Sequence, residues 1–359
     1  MPMGSQLKLL IPTVVLLQFQ LHLAGGSQIN GSNGCKNHSG KLKLFVFGDS
    51  YADTGNWNHE ACSWKEPYGL TFPGKPTGRF SDGKVLTDYI ASILGIESPV
   101  PWAIRASANK SMIQNGMNLA FGGTGVFDTF VDAPNMTIQI DFLRQLIKQQ
   151  KLYTKHDLRS AVALVSASGN DYPAYVYKDG NLEDLPSFTK NLISQLCINL
   201  KTIHHLGVGK IMVTSLQPMG CLPKLTISSS YENCSETWNA ISENHNRVLQ
   251  EAVSRLNNGS SSGGKQVFHV LDMYSALFSV LEKESSGGQP KEDALRPCCV
   301  GVTSNYSCGD EDDGGAKKYV VCEKPESSIF WDMVHPSQNG WESAISILKA
   351  SIHQLINTL

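Results

Sequence analysis

The sequence predicts an α/β fold in which helices cover a mostly parallel sheet. Three observations carry that expectation. Runs that are apolar almost throughout recur at residues 42–47, 161–165, 210–214 and 266–271, the pattern of strands buried on both faces. Helical patterns lie between them at residues 85–94, 138–149 and 185–206, the last stopped by Gly207, so strand and helix alternate along the chain. The 359 residues are 41% hydrophobic, with 30 Lys+Arg against 32 Asp+Glu and a formal charge of −2. That composition supports a large core and excludes a disordered chain. Without a basic block, nucleic acid and anionic membrane surfaces are poor partners, whereas small molecules and neutral polymers remain open.

At the start of the chain, Lys8 precedes an apolar run over residues 9–17, and Ala24-Gly25-Gly26 supplies the small residues a signal peptidase reads. Residues 1–26 are therefore expected to be a secretory signal peptide and residues 27–359 a single domain. A stable membrane span is not expected, because Gln18, Gln20 and His22 interrupt the run short of the roughly 18 apolar residues a span requires. Sequons at Asn30, Asn37, Asn109, Asn135, Asn233, Asn258 and Asn305 agree with a secreted glycoprotein.

The nine cysteines fit an oxidising compartment, where they staple loops. Cys221 and Cys234 bracket a short loop and are expected to pair. Cys298, Cys299, Cys308 and Cys322 allow two bridges in three connectivities. Zinc is disfavoured because Cys298 and Cys299 are adjacent and the sequence has no C-x-x-C pair. Cys197, among Leu192, Ile193, Leu196 and Leu200, reads as a buried free thiol. An odd total leaves at least one thiol unpaired or bonded between molecules.

The first strand runs out into Phe47-Gly48-Asp49-Ser50, where glycine permits a sharp exit and a serine arrives at the carboxyl end. Parallel α/β sheets build their sites at that end. The strand at residues 161–165 also leads into a polar turn, Ser168-Gly169-Asn170-Asp171. Between them the segment from Gly116 to Gly125 forms a glycine-dense turn whose N–H groups can receive a developing oxyanion. It lacks the Gly-Lys-Ser/Thr ending of a nucleotide loop.

Late in the chain Asp332 stands three residues before His335. A serine hydroxyl needs a base to remove its proton, and a carboxylate on the far ring nitrogen orients that base. After Pro336 and Ser337, apolar residues at Trp341, Ile345, Leu348, Ile352 and Leu355 mark a final amphipathic helix. Asp49 and Asp171 read as carboxylates that fix their own turns. His59, His204, His205 and His245 lack a partner at useful spacing. Trp57, Trp64, Tyr68 and Phe72 form a candidate apolar or sugar-stacking wall.

Gly48-Asp49-Ser50, the Gly116–Gly125 segment, Gly169-Asn170-Asp171 and Asp332-x-x-His335, in this order, resemble the plant GDSL esterase/lipase family of the SGNH hydrolases. The stretches at residues 51–56 and 76–83 add to the likeness, which covers nearly all of the mature chain. The resemblance implies a three-layer α/β/α sandwich around a mostly parallel five-stranded sheet, flavodoxin-like in type. It implies Ser50 as nucleophile, His335 as base and then acid, and Asp332 as the residue that orients it. The oxyanion hole would comprise the Ser50 and Gly123 N–H groups and the Asn170 side chain, Gly123 being chosen over Gly122 by counting from Asn118.

Leu119 and Thr124 depart from the family's commoner residues beside this turn, and a reshaped acyl pocket is the expectation. The activity implied is ester hydrolysis through an acyl-serine, with no metal or organic cofactor. The substrate is a small-molecule or polymer-attached ester; lipid esters, acetylated wall polysaccharides and phenolic esters all fit, and oligomeric state is open. Two alternatives are an acyltransferase using the same acyl-enzyme and a catalytically silent binding protein.

Overall fold

The apolar runs become strands and their flanking patterns helices in the computed structural model, which describes residues 42–259, 266–286 and 294–357. The expected signal peptide, Cys35, Asn30 and Asn37 lie outside the described residues. The strands are β1 Lys43–Gly48, β2 Val100–Pro101, β3 Gly116–Asn118, β4 Ala161–Ser166, β5 Lys210–Thr214 and β6 Phe268–Leu271. They form one sheet in the order β2-β3-β1-β4-β5-β6, with every neighbouring pair parallel. The sheet thus has six strands rather than the expected five. The additional one is the two-residue β2, and its Pro101, which has no N–H to give to a ladder, suits an edge. Without β2 the order is that of a flavodoxin-like sheet, whose switch point falls between β1 and β4.

The helices are α1 Leu86–Ile93, α2 Lys110–Ile113, α3 Met136–Lys148, α4 Lys155–Arg159, α5 Asp171–Tyr177, α6 Leu185–His205, α7 Pro223–Thr226, α8 Glu236–Asn258, α9 Met273–Ser286 and α10 Gln338–Ile356. Side chains alternate across a strand, so β1 serves two cores. Phe45 and Phe47 pack with residues of α3, α6 and α8, while Leu44 and Val46 pack with residues of α1, α9 and α10. This is the three-layer arrangement expected. In α10, Trp341, Ile345, Leu348, Ile352 and Leu355 are all buried, as their spacing predicts.

Cys221–Cys234 is a disulfide, and the cluster of four is joined as Cys298–Cys322 and Cys299–Cys308. The latter two staple a small antiparallel hairpin of β7 Cys299–Gly301 and β8 Tyr319–Val321. Among the described residues Cys62 and Cys197 are free thiols, and Cys197 is half-buried rather than fully enclosed because it sits at the border of α6's inward face. Among the described residues no helix is long and apolar enough to cross a membrane.

Candidate active site

At the end of β1 the chain turns at Gly48, whose φ of +138° favours glycine and where a Cβ would run into the Ser166 carbonyl oxygen on β4. Gln139 of α3 fixes this exit by accepting from Gly48 N at 2.8 Å and donating to Gly48 O at 2.9 Å. Asp49 then bridges the two central strands, accepting from Tyr51 N and from both the N–H and the hydroxyl of Ser168. It therefore holds the β4 turn as well as its own. Ser50 follows, buried at the carboxyl end of the sheet.

His335 reaches Ser50 from the far end of the chain, with Nε2 2.8 Å from Ser50 Oγ. Its Nδ1 lies 2.9 and 2.8 Å from Asp332 Oδ1 and Oδ2. A carboxylate only accepts, so Nδ1 carries the ring proton and Nε2 is left to accept from the serine hydroxyl. Burial alone would raise the Asp332 carboxyl, but the His335 charge, its hydrogen bond, the Tyr68 hydroxyl and the Val334 N–H together hold it below the usual carboxylate range. The imidazole is enclosed on two sides. Phe80 lies tilted against it with ring centroids 5.0 Å apart, and Tyr51 anchors the neighbouring Val334 carbonyl by a 2.8 Å hydrogen bond.

The glycine-dense segment is part strand and part turn. Its first three residues form β3, too short to read as a strand in sequence, and the turn follows at Gly122-Gly123. Asp53 ties that turn to the serine loop, accepting from Gly55, Asn56, Trp57 and Gly122 N–H groups. The Gly122 N–H is thereby occupied. Among the described residues neither the Ser50 nor the Gly123 N–H donates to a protein acceptor. Asn170 Nδ2 donates to Thr124 O at 3.0 Å and stands 3.4 Å from Asp49 Oδ2. Asp171, expected to fix its own turn, instead accepts from Val126 and Phe127 N–H groups at 3.0 and 2.8 Å.

Ser50, Gly123, Asn170 and His335 all line one cavity of about 470 Å³, whose walls include Trp57, Phe80, Phe130, Met219, Leu222 and Trp238. Of the expected aromatic wall only Trp57 takes part. Trp64 packs behind it and donates its indole N–H to Trp57 O, and Phe72 lies under Arg79 and Lys84 at the surface. Tyr68 turns inward and donates to Asp332 Oδ2 at 2.7 Å. Leu119 and Thr124 do not line the cavity either: Leu119 is in the core, and the Thr124 hydroxyl is turned to the Gly48 and Phe121 carbonyls. The motif-like stretch at residues 76–83 serves as a brace, with Ser81 donating to Pro336 O and Asp82 accepting from Gln338 N.

His245 is buried and takes no part in this chain of bonds, its Nδ1 lying 2.9 Å from the Tyr172 hydroxyl. Among the described residues there is also no cluster of His, Cys, Asp or Glu able to hold a metal.

Residues 44–346 match the family model of the GDSL-like Lipase/Acylhydrolase. The chain belongs to that family. Curated GDSL relatives extend the match over nearly its whole length. It is 45% identical over 357 residues to GDSL esterase/lipase At5g03610 of Arabidopsis thaliana, covering 98% of each chain. To GDSL esterase/lipase At3g09930 of the same plant it is 46% identical, over 85% of this chain and 87% of that one. As a GDSL lipase/acylhydrolase the protein is a carboxylic ester hydrolase. A solved acetylxylan esterase from Geobacillus stearothermophilus is similar at 14% identity and a TM-score of 0.38, covering 88% of this chain and 94% of that chain.

Proposed function

We propose that this GDSL hydrolase is a secreted serine esterase that cleaves carboxylic esters of apolar acyl groups through an acyl-Ser50 intermediate. The observation that carries the reading is the unbroken hydrogen-bonded chain from Ser50 Oγ through His335 to Asp332, with Ser50 opening into an apolar-walled cavity. His335 Nε2 takes the hydroxyl proton as Ser50 Oγ bonds to the ester carbonyl carbon. The resulting oxyanion receives hydrogen bonds from the Ser50 and Gly123 N–H groups and from Asn170 Nδ2. The unengaged state of the first two N–H groups supports this assignment, as does the capture of the Gly122 N–H by Asp53. As the tetrahedral carbon collapses, the C–O bond to the alcohol breaks and His335 returns the proton to that oxygen. Water then repeats the sequence, giving its proton to His335 and releasing the acid and free Ser50.

Three disulfides fit an oxidising route out of the cell, and residues 1–26 are the segment that would direct it. The sequons Asn109, Asn233, Asn258 and Asn305 are exposed, while Asn135 is half-buried at the start of α3. The mature domain would begin at residue 27.

The test compares wild type and Ser50→Ala, both secreted and glycosylated, with p-nitrophenyl esters of increasing chain length and a fluorophosphonate probe. Serine-dependent labelling and hydrolysis are expected, with kcat/KM rising from acetate to butyrate or longer because each buried methylene contributes about 0.8 kcal/mol. Labelling without hydrolysis would favour acyl transfer to an alcohol. Neither signal from folded protein would sink the proposal.

A further inference from the structure

We infer that Tyr68 is a positioning residue of this reaction, a fourth member of the Ser50–His335–Asp332 chain that fixes the acid from behind. The inference rests on the esterase reading above. Asp332 has two oxygens to orient. Oδ1 accepts from the Val334 and His335 N–H groups, both 2.9 Å away, so the backbone of its own turn holds that side. Oδ2 faces the His335 ring at 2.8 Å, and its remaining partner is the Tyr68 hydroxyl at 2.7 Å, from a residue 264 positions away in sequence. A phenol hydroxyl donating to a carboxylate makes a strong, directional bond. It removes the freedom of the carboxylate to rotate away from the imidazole.

Tyr68 is itself held. It is buried, its ring meets Trp331 edge-on with centroids 6.0 Å apart, and it packs in one cluster with Cys298, Cys299 and Cys308. The disulfide-stapled hairpin thus backs the tyrosine, and Cys298 and Cys299 N–H groups donate to the carbonyls of Phe330 and Trp331, the two residues before Asp332. Burial and the adjacent Asp332 charge push the Tyr68 hydroxyl well above its usual range, so it remains a donor throughout the working pH range. The other titratable groups facing this part of the site are the Cys62 thiol beside Tyr68, Tyr51 beside Asp332 and Asp49 beside His335.

Removing the hydroxyl leaves Asp332 a stronger base with one fixed oxygen fewer. Its attraction for a protonated His335 grows, so the imidazolium keeps its proton to higher pH and less acid suffices to silence the base. The experiment uses the full secreted protein and p-nitrophenyl butyrate, with Tyr68→Phe to keep the ring and delete the oxygen. Tyr172→Phe is the control, because it deletes another buried hydroxyl, one bonded to Thr189 and His245. In Tyr68→Phe the acid limb of kcat/KM should move to higher pH by roughly half to one unit, with kcat falling about tenfold and KM little changed. The downfield proton resonance of the His335 Nδ1–H should shift in the same variant, a readout that needs no substrate. Tyr172→Phe should leave both unchanged.

A Tyr68→Phe protein that melts lower but keeps the wild-type acid limb and resonance would overturn the inference and leave Tyr68 a packing residue. Inactive wild type with a wild-type-like imidazole resonance that still shifts in Tyr68→Phe would fault the esterase reading instead, and leave the Tyr68–Asp332 coupling standing.

Discussion

The Asn170 amide has two hydrogens: one goes to Thr124 O at 3.0 Å, while the other faces Asp49 Oδ2 across a long 3.4 Å contact. The first bond positions the side chain and the second is weak enough to be given up to an oxyanion. Asn170→Ala should therefore lower kcat by roughly 10²–10³ with little change in KM, measured on p-nitrophenyl butyrate. An equal loss through KM alone would assign Asn170 to substrate binding. Gly123 is constrained differently. Its φ is +73°, and an added Cβ would lie 2.9 Å from Val131 Cγ1. Gly123→Ala must either push Val131 into the cavity or rotate the N–H out of line, so turnover should fall by at least tenfold on the scale of a disturbed oxyanion donor. A thermal melt within a few degrees of wild type would place that loss in the site, not in the fold.

The stapled hairpin is the element that most directly couples stability to the site. Cys299–Cys308 closes a loop with a sequence separation of 9, and the hairpin's N–H groups reach the segment that presents Asp332. Replacing both cysteines with alanine should lower the unfolding free energy by about 2.5 kcal/mol in the chain-entropy account, read from urea melts, and should lower kcat as Tyr68 and Trp331 lose their backing. Little of this element was legible in sequence. Strands β1, β4 and β5 announced themselves because both faces are buried, the edge strand β6 through its apolar run although His269 and Val270 are only half-buried, and α10 because its inward residues recur at helical spacing. Two- and three-residue strands such as β2 and β3 leave no periodic signal. Helix α8 buries Ser242 and His245 alongside Leu249, Ala252 and Val253, too mixed a face to stand out. Ser50, Asn170, Asp332 and His335 were readable because each sits in a short motif next to a strand end or turn. Tyr68 was not, since its partner lies 264 residues away and its neighbours in sequence suggested a substrate wall.

Across the whole molecule, three buried carboxyls tie the site's turns together, and the pH dependence of folding should register them. Burial pushes Asp49, Asp53 and Asp171 each up to about 6 from an ordinary value of 3.8, against backbone hydrogen bonds that pull the other way. A carboxyl that binds its proton more tightly in the folded state stabilises that state below about 3.8, and the contribution is lost as pH rises through about 6. Asp332 and Asp88 act with the opposite sign. The comparison is cleanest at Asp171, outside the Ser50–His335–Asp332 chain. From pH 4 to pH 7 the stability of Asp171→Asn relative to wild type should improve by on the order of 2 to 3 kcal/mol, followed by urea unfolding. A flat difference would mean that Asp171 titrates in the folded protein as it does in the unfolded chain.

Ser50 and His335 meet across 285 positions of sequence. A chain emerging from the ribosome therefore carries its serine for most of its synthesis without the residue that activates it, and the sheet from β1 to β6 precedes the imidazole. The Ser50–His335 hydrogen bond can form only when the last tenth of the polypeptide has reached the end of β1. On the proposed mechanism the protein is its own timer: a nascent or C-terminally clipped molecule, however well its sheet has formed, lacks the base that would let Ser50 attack an ester.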